Sequence, residues 1–294
     1  MVVILLTHTF EKEKEVDLGS MVTLNEYVQG EAALPHKQIH VMGKDIFLYR
    51  EVTSTNSVAQ LMARSGAPEG TIVLSRTQTS GMGRLRRQWA CPAGQGILMS
   101  MILRPEINGQ LIPQLTLLCS VVVAETIKKT TGCVAGIKWP NDIVISSKKV
   151  CGILAQSNFS KTFPGYVIMG VGINVNLDTH QLPLDCRESS TSLRMESGQN
   201  VSRWKILKQF ICSWEEHYQS FLLSGHPYLR MKWIENNVTL GRQVSINRDK
   251  GTVQGLAVDI SARGGLIVSF SDGSIEEFMA EDLSLGRTHY VKNS

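Results

Sequence analysis

The stretch "GIKWPNDIVISSKKVCGILAQSN", residues 136–158, reads as three short strands, "GIKW", "DIVISS" and "VCGILAQSN", with the turn "SSKK" closing the last two into a hairpin. Its first joint is unusual. "KWPND" (138–142) sets Lys138 and Asp142 four positions apart around a Trp139–Pro140 step. A tryptophan has to be kept from water, and a proline fixes the backbone angle and removes an amide donor. One reading is a strand end closed by a turn with a solvated ion pair. The other is a rigid mount for two opposite charges, and the rest of the chain must choose between them.

Working outward, "DIFLYREV" (45–52), "TIVLSR" (71–76), "GILMSMIL" (96–103) and "YVIMGVGINVN" (166–176) also read as strands; glycines in the last permit close approach to its backbone. "STNSVAQLMARSG" predicts a helix, with Val58, Leu61, Met62 and Ser65 on one face, Ser54 or Thr55 as cap and Gly66 as stop. "QLTLLCSVVVAETIKKTTG" (114–132) is a buried helix ending in lysines and a glycine. Residues 202–223 predict an amphipathic helix whose stripe of Trp204, Leu207, Ile211, Trp214, Tyr218 and Phe221 belongs to a core. From 238 to 288 short alternating stretches are broken by "RDKG", "ARGG" and "SDGS", turn signals at the spacing of a small β-barrel. The expected organisation is an N-terminal extension (1–44), a catalytic domain (45–236) and a small C-terminal barrel (237–294).

The chain has 294 residues, 43% hydrophobic and 19% charged, with a net charge of +4. That is an ordinary globular composition, long enough for a large domain and a small one, and too mildly basic to imply nucleic acid by itself. The six cysteines (91, 119, 133, 151, 186 and 212) are scattered, with no C-x-x-C pair. This argues against a zinc site or a disulfide framework and fits a reducing cytoplasm. "MVVILLTHTF" has only a five-residue apolar run, without a preceding basic residue or a cleavage site. No stretch approaches the roughly 18 apolar residues of a membrane span. The expectation is a soluble, intracellular protein.

Between two buried strands lies a loop of almost twenty residues, "TQTSGMGRLRRQWACPAGQ" (77–95). A structureless loop that long inside a compact domain is uncommon and is usually functional or disordered. Glycines let its amides approach a ligand, and Arg84, Arg86 and Arg87 offer planar cations suited to phosphate or carboxylate. A solvated basic loop is the competing reading. "GMGRLRR" lacks the third glycine of a dinucleotide fingerprint and leads to a strand, and no G-x-x-x-x-G-K-[ST] occurs.

Taken together, "STN" (54–56), "QTSGMGRLRRQW" (78–89), "KWPND" (138–142) with "KKVCGIL" (148–154), and "GVGINVN" (170–176) resemble the signature set of biotin protein ligases. "LP...STSL" within 182–193 resembles a further family segment. The resemblance spans roughly residues 45–288. It implies an α+β fold: a mixed-sheet catalytic domain of the biotin/lipoate ligase type followed by a small SH3-like barrel. It implies an enzyme that joins biotin to ATP as biotinyl-5′-AMP and passes biotin to a lysine of a biotin carboxyl carrier protein. ATP and biotin are then the substrates, with Mg2+ as the accompanying ion.

Carried over by position, Ser54, Thr55 and Asn56 resemble the clasp on biotin's ureido end and Gln78 a second biotin contact. Gly81, Met82 and Gly83 belong to the loop that closes over biotin's carboxylate and the adenylate phosphate. Arg84 resembles the key loop arginine, and Arg87 and Trp89 fall on nucleotide-side positions. Lys149 resembles the lysine at the biotinyl carbonyl and phosphate. Lys138 would lie nearer the triphosphate, with Asn141 and Asp142 near the adenylate and incoming amine, and Asn174 on the adenylate side. Gly152, Gly170 and Gly172 would floor the biotin rings. Lys149, Arg84, Lys138 and Asp142 are the implied catalytic set, and Trp139 is read as packing.

Two departures stand out. The family loop usually carries arginine where this chain has Met82, and residues 177–200 hold no tryptophan to cover the adenine. The first 44 residues are short for a winged helix-turn-helix and show no basic recognition helix, so no specific DNA contact is expected. The resemblance also allows a homodimer through the central sheet. Rival readings are a lipoate or octanoyl transferase of the same fold, a bifunctional ligase and repressor, and a non-catalytic scaffold.

Overall fold

A computed structural model describes the backbone of residues 25–28, 32–34, 37–41, 44–160, 163–248 and 251–280, and side chains within 45–158, 165–246 and 252–280. Strands β1 (Asn25–Val28) and β2 (Ala32–Leu34) pair antiparallel with each other. The main elements then follow as β3 (Lys37–Val41), β4 (Lys44–Val52), α1 (Thr55–Arg64), β5 (Ile72–Gln78), β6 (Gly96–Leu103) and α2 (Ile112–Thr131). Next come β7 (Gly136–Lys138), β8 (Asp142–Ile145), β9 (Lys148–Ser160), β10 (Phe163–Asn174), α3 (Leu184–Arg187), α4 (Leu193–Ser197) and α5 (Arg203–Asn236). The chain continues through β11 (Gln243–Arg248), β12 (Gly251–Ile260), β13 (Leu266–Ser269) and β14 (Ile275–Phe278).

The eight-stranded sheet runs β3-β4-β5-β6-β10-β9-β8-β7. Only β4 and β5 pair in parallel, because α1 carries the chain back between them; the other neighbours are antiparallel. The expected extension 1–44 therefore contains β3, an edge strand of this sheet; the rest of that expectation lies mostly outside the described residues. The β8–β9 hairpin turns at Ser146 and Ser147, both at positive φ (51° and 66°), as a two-residue primed turn requires. The Trp139–Pro140 peptide is cis.

Side-chain alternation divides the sheet by function. Ile97, Met99, Met101 and Leu103 of β6, Val167, Met169, Val171 and Ile173 of β10, and Cys151 and Ile153 of β9 face one core. That core is roofed by α2 and α5. Because strand side chains alternate, Ser100, Gly170, Gly172, Asn174, Gly152 and Gln156 point to the opposite face. There α1 packs Val58, Ala59 and Ala63 on Val73, Ile102 and Ile168. The buried face of α1 is rotated from the expected one: Ala59 and Ala63 are inside, Leu61 and Met62 are half-buried, and Ser65 is exposed. Arg104 closes the far end of α1 by donating to the Ala63 and Ala67 carbonyls at 2.7 and 2.9 Å.

By length and composition, residues Gly109–Thr131 could cross a membrane, and no other helix among the described residues could. Here α2 is a core helix, mostly buried under α5. It stops at Gly132 in the left-handed region, after Lys128 and Lys129. The predicted stripe of α5 is buried except for half-buried Trp204, and Phe210, Trp214 and Tyr218 stack in series. The helix breaks near the expected end, at Gly225 (φ 60°) and Pro227, and resumes to Asn236.

The C-terminal elements form the antiparallel sheet β11-β12-β13-β14, of the SH3-like barrel type; residues 281–294 of the expected barrel domain lie outside the described residues. This sheet shares the main core through Leu229 and Trp233, which cluster with Val244, Leu266 and Val268. Trp139, 1% exposed, packs in that core and donates from Nε1 to the Gly264 carbonyl at 3.1 Å. The Gln114 amide donates to the Ala262 carbonyl beside it. The packing reading of Trp139 holds.

Candidate active site

The polar face of the sheet is built from strand ends and from the first turn of α1. Ser54 takes the cap position, but its hydroxyl makes no capping bond. Gln78 Oε1 accepts from the Thr55 amide at 2.7 Å and the Thr55 hydroxyl at 3.0 Å. This ties the "STN" turn to the end of β5. Ser100, in the middle of β6, lies 2.8 Å from Thr55 Oγ1 and 2.6 Å from Asn56 Oδ1. Asn56 Nδ2 donates to Gln156 Oε1 at 2.7 Å. Ser100 and Gln156 were not among the sequence-derived site residues. A lone serine in the otherwise apolar "GILMSMIL" was the available signal, since every residue of that strand is buried.

The glycines carry packing that the sequence reading assigned to a ligand. A Cβ at Gly170 would overlap the Asn56 amide. At Gly172 it would come within 2.5 Å of the Trp89 ring, and at Gly152 within 3.0 Å. Gly152 and Gly172 are cross-strand partners, so Trp89 lies over a two-glycine floor. In this structure the protein's own Asn56 and Trp89 therefore cover the floor expected beneath biotin. Trp89 Nε1 is buried without a hydrogen-bond partner among the described residues.

The long loop is folded, which differs from a structureless connection. Met82 and Gln88 form an antiparallel bridge, Gly83 N–H donates to Arg87 O at 2.7 Å, and Trp89 N–H donates to Gly81 O at 2.9 Å. Leu85 and Arg86 turn the tip in the left-handed region (φ 53° and 57°), at a cost of roughly 1–2 kcal/mol each. A Cβ at Gly81 would meet Trp89 O at 2.8 Å and Gln78 Nε2 at 2.9 Å, whereas Gly83 has ordinary space. Arg84 points inward, donating to Asn141 Oδ1 at 3.1 Å and to the Ala280 carbonyl of the C-terminal unit. Met82, Arg86 and Arg87 are exposed.

Beyond the loop, Lys149 Nζ pairs with Asp142 at 2.6 Å and sits 5.6 Å from the Trp89 ring centroid. Its backbone is clamped by Ser189 and Thr191, at 2.8 and 2.9 Å. Lys138 is half-buried, and burial holds its ammonium below the ordinary lysine range; Asp142 opposes this and Lys149 reinforces it. Asn141 gives its Nδ2 to Ile153 O at 2.7 Å, so both ends of its amide are engaged as a bracket between the loop and β9. Asn174 donates to Thr191 O at 3.1 Å, while its buried Oδ1 has no partner among the described residues. That oxygen is an acceptor ready for an amine or amide donor. No cluster of three His, Cys, Asp or Glu side chains fit for a metal occurs among the described residues.

This face thus combines a neutral hydrogen-bonding clasp, a glycine floor and a set of cations around one carboxylate. Comparison with known proteins gives the class. Residues 48–174 match the biotin/lipoate A/B protein ligase family, and residues 239–286 match the biotin protein ligase C terminal domain. The chain is 35% identical over 246 residues to the bifunctional ligase/repressor BirA of Bacillus spizizenii, covering 84% of this chain and 75% of that protein. It is 28% identical to the biotin–[acetyl-CoA-carboxylase] ligase of Paracoccus denitrificans, covering 73% of this chain and 90% of that one. Among solved structures, the biotin protein ligase of Aquifex aeolicus in complex with biotin and ATP superposes with a TM-score of 0.71 at 27% identity. That match covers 83% of this chain and 99% of the other. The chain belongs to the biotin protein ligase family.

Proposed function

We propose that this enzyme makes biotinyl-5′-AMP and transfers biotin to a lysine of a biotin carboxyl carrier protein or carrier domain. The observation that carries the reading is the shared sheet face, with a neutral clasp at Thr55 and Gln78 and cations at Lys149, Lys138 and Arg84. Thr55, Gln78 and the buried polar side chains of the "STN" turn hold the ureido ring. Lys149 and Lys138 draw the carboxylate and the α-phosphate together against their mutual repulsion. A carboxylate oxygen then attacks phosphorus, and the bond to pyrophosphate breaks. Asn174 Oδ1 accepts a hydrogen bond from the adenine amino group, and Trp89, displaced from the glycines, covers a flat part of the intermediate. In the second half-reaction the carrier amine attacks the acyl carbon, the bond from that carbon to the phosphate oxygen breaks and AMP leaves, and the proton shed by the amine passes to Asp142 or to solvent.

Asp142 is already paired with Lys149, so the described residues supply no dedicated metal cage. Magnesium suits such a site when it arrives on the triphosphate, keeping several waters and needing few protein ligands. The six cysteines, none in a disulfide among the described residues, fit work in a reducing compartment such as the cytoplasm. Specific operator binding is not part of this reading.

Exchange of labelled pyrophosphate into ATP tests the reading. It should require biotin and stop with excess chelator. Exchange that ignores biotin, or that proceeds with lipoate in its place, would overturn it.

A further inference from the structure

The "STSL" segment (190–193) has no substrate contact in the reading above, yet the nucleotide end of the site hangs on it. Thr191, 1% exposed, is bonded through every polar group it owns. Its amide donates to the Lys149 carbonyl at 2.9 Å, its carbonyl accepts from Asn174 Nδ2 at 3.1 Å, and its hydroxyl donates to Glu196 Oε1 at 2.6 Å. That last length is typical of a hydroxyl bonded to a carboxylate. The other oxygen of Glu196 accepts from the Ser146 hydroxyl at 3.3 Å, in the turn of the hairpin that carries Lys149. Half-buried Glu196, on α4, therefore fastens Thr191 to that hairpin. Only an N–H can meet a carbonyl, so the Thr191 carbonyl decides which way the Asn174 amide faces. Nδ2 turns to Thr191, and Oδ1 is left as the buried acceptor without a partner among the described residues.

We propose that Glu196 is a positioning residue that sets nucleobase specificity: through Thr191 it keeps the Asn174 amide oxygen presented. A purine bearing an exocyclic amine is then chosen over one bearing an oxygen. The amine donates to Oδ1, whereas an oxygen in its place sets two acceptors face to face. Without Glu196 the buried Thr191 hydroxyl is left unbonded, and it regains a partner only if the segment shifts. Such a shift loosens the Thr191 carbonyl and lets the Asn174 amide turn over. Glu196 itself needs no contact with the nucleotide. The inference rests on the adenylate reading above.

The test is biotin-dependent exchange of labelled pyrophosphate into ATP and into inosine triphosphate, which carries an oxygen in place of the adenine amine. The full chain and three variants are compared. The wild type should favour ATP in kcat/KM by about tenfold or more, the scale of one hydrogen bond. In Glu196→Ala that ratio should fall severalfold while KM for biotin stays unchanged, because the clasp is held by Thr55 and Gln78 on other strands. Glu196→Gln should keep the wild-type ratio, since its amide oxygen still accepts from Thr191 and its nitrogen can donate to Ser146. Thr191→Val cuts the same link while keeping the shape of the side chain, and it decides the matter should Glu196→Ala fail to fold. Its ratio should fall as well. A wild type indifferent to the two nucleotides, or an unchanged ratio in a folded Glu196→Ala or Thr191→Val, would overturn the inference. So would a ratio in Glu196→Gln as low as in Glu196→Ala, or a KM for biotin that rises with the KM for ATP. A wild-type chain without biotin-dependent exchange into either nucleotide would instead overturn the functional reading itself.

Discussion

Lys149 and Arg84 are both cations beside the same face, but they are held differently. Lys149 is fixed by a strand, by Asp142 at 2.6 Å and by the backbone of residues 189–191. Arg84 holds a loop to Asn141 and to the Ala280 carbonyl, so its anchors lie on two other parts of the chain. Lys149→Ala should therefore slow adenylate formation by on the order of 10²–10³, the usual loss for a fixed donor at developing charge. Arg84→Gly should still form adenylate but release it, labelling lysines of a bystander protein. Mass spectrometry of that bystander separates the two; an active Arg84→Gly that leaves it unlabelled would refute the retention role. Arg84 was legible in sequence because "SGMGRLRR" places charge beside glycine in a long loop, and Lys149 because "KKVCGIL" resembles a family motif. Ser100 was not, since a serine in a strand carries no sign of which side chains it meets.

The elements that position the site are pinned away from it. Glu125 of α2 and Tyr228 of α5 bind the two ring nitrogens of buried His217, at 3.1 and 2.8 Å, across the break at Gly225. The hydrogen bond from His217 is the main cause that holds the Glu125 carboxyl below its ordinary 4.5, against opposing desolvation. A folded-state value below the unfolded one means that this stabilisation is present above pH 4.5 and disappears as pH falls through the lowered value. Glu125→Gln should cost about 1 kcal/mol near neutrality, allowing for partial exposure, and little in acid. Urea unfolding across pH checks this; a difference constant with pH would mean that the carboxylate charge is irrelevant. Period-two and helical patterns disclosed β4 to β10 and α1, α2 and α5, because each follows from local burial, whereas β1 to β3 and the short helices α3 and α4 were not read. The hairpin within 77–95 was hidden, since its bonds at Gly81, Gly83 and Arg87 follow no hydrophobic period.

At the scale of the molecule, the C-terminal sheet shares the core of the large sheet, docked by Trp139, Gln114 and the residues around Trp233. The N-terminal edge is likewise joined: β3 covers the open side of β4. A chain beginning at Lys37 should keep the adenylation rate, whereas one beginning at Asp45 should melt several degrees lower because the β4 edge loses its partner. Thermal scans with pyrophosphate exchange check both; a slow but folded Lys37 chain would show that earlier residues serve catalysis. The sequence by itself determined the family and the order of the main elements and pointed to the charged residues proposed for the site, because these rest on local periodicity and on motifs contiguous in the chain. Only the tertiary structure decided that Asn56 and Trp89 cover the glycine floor, that Ser100 links the clasp, and that Arg84 reaches the C-terminal unit. Each joins residues between 44 and 196 positions apart or packs a side chain onto another strand, and no local pattern encodes which distant groups meet.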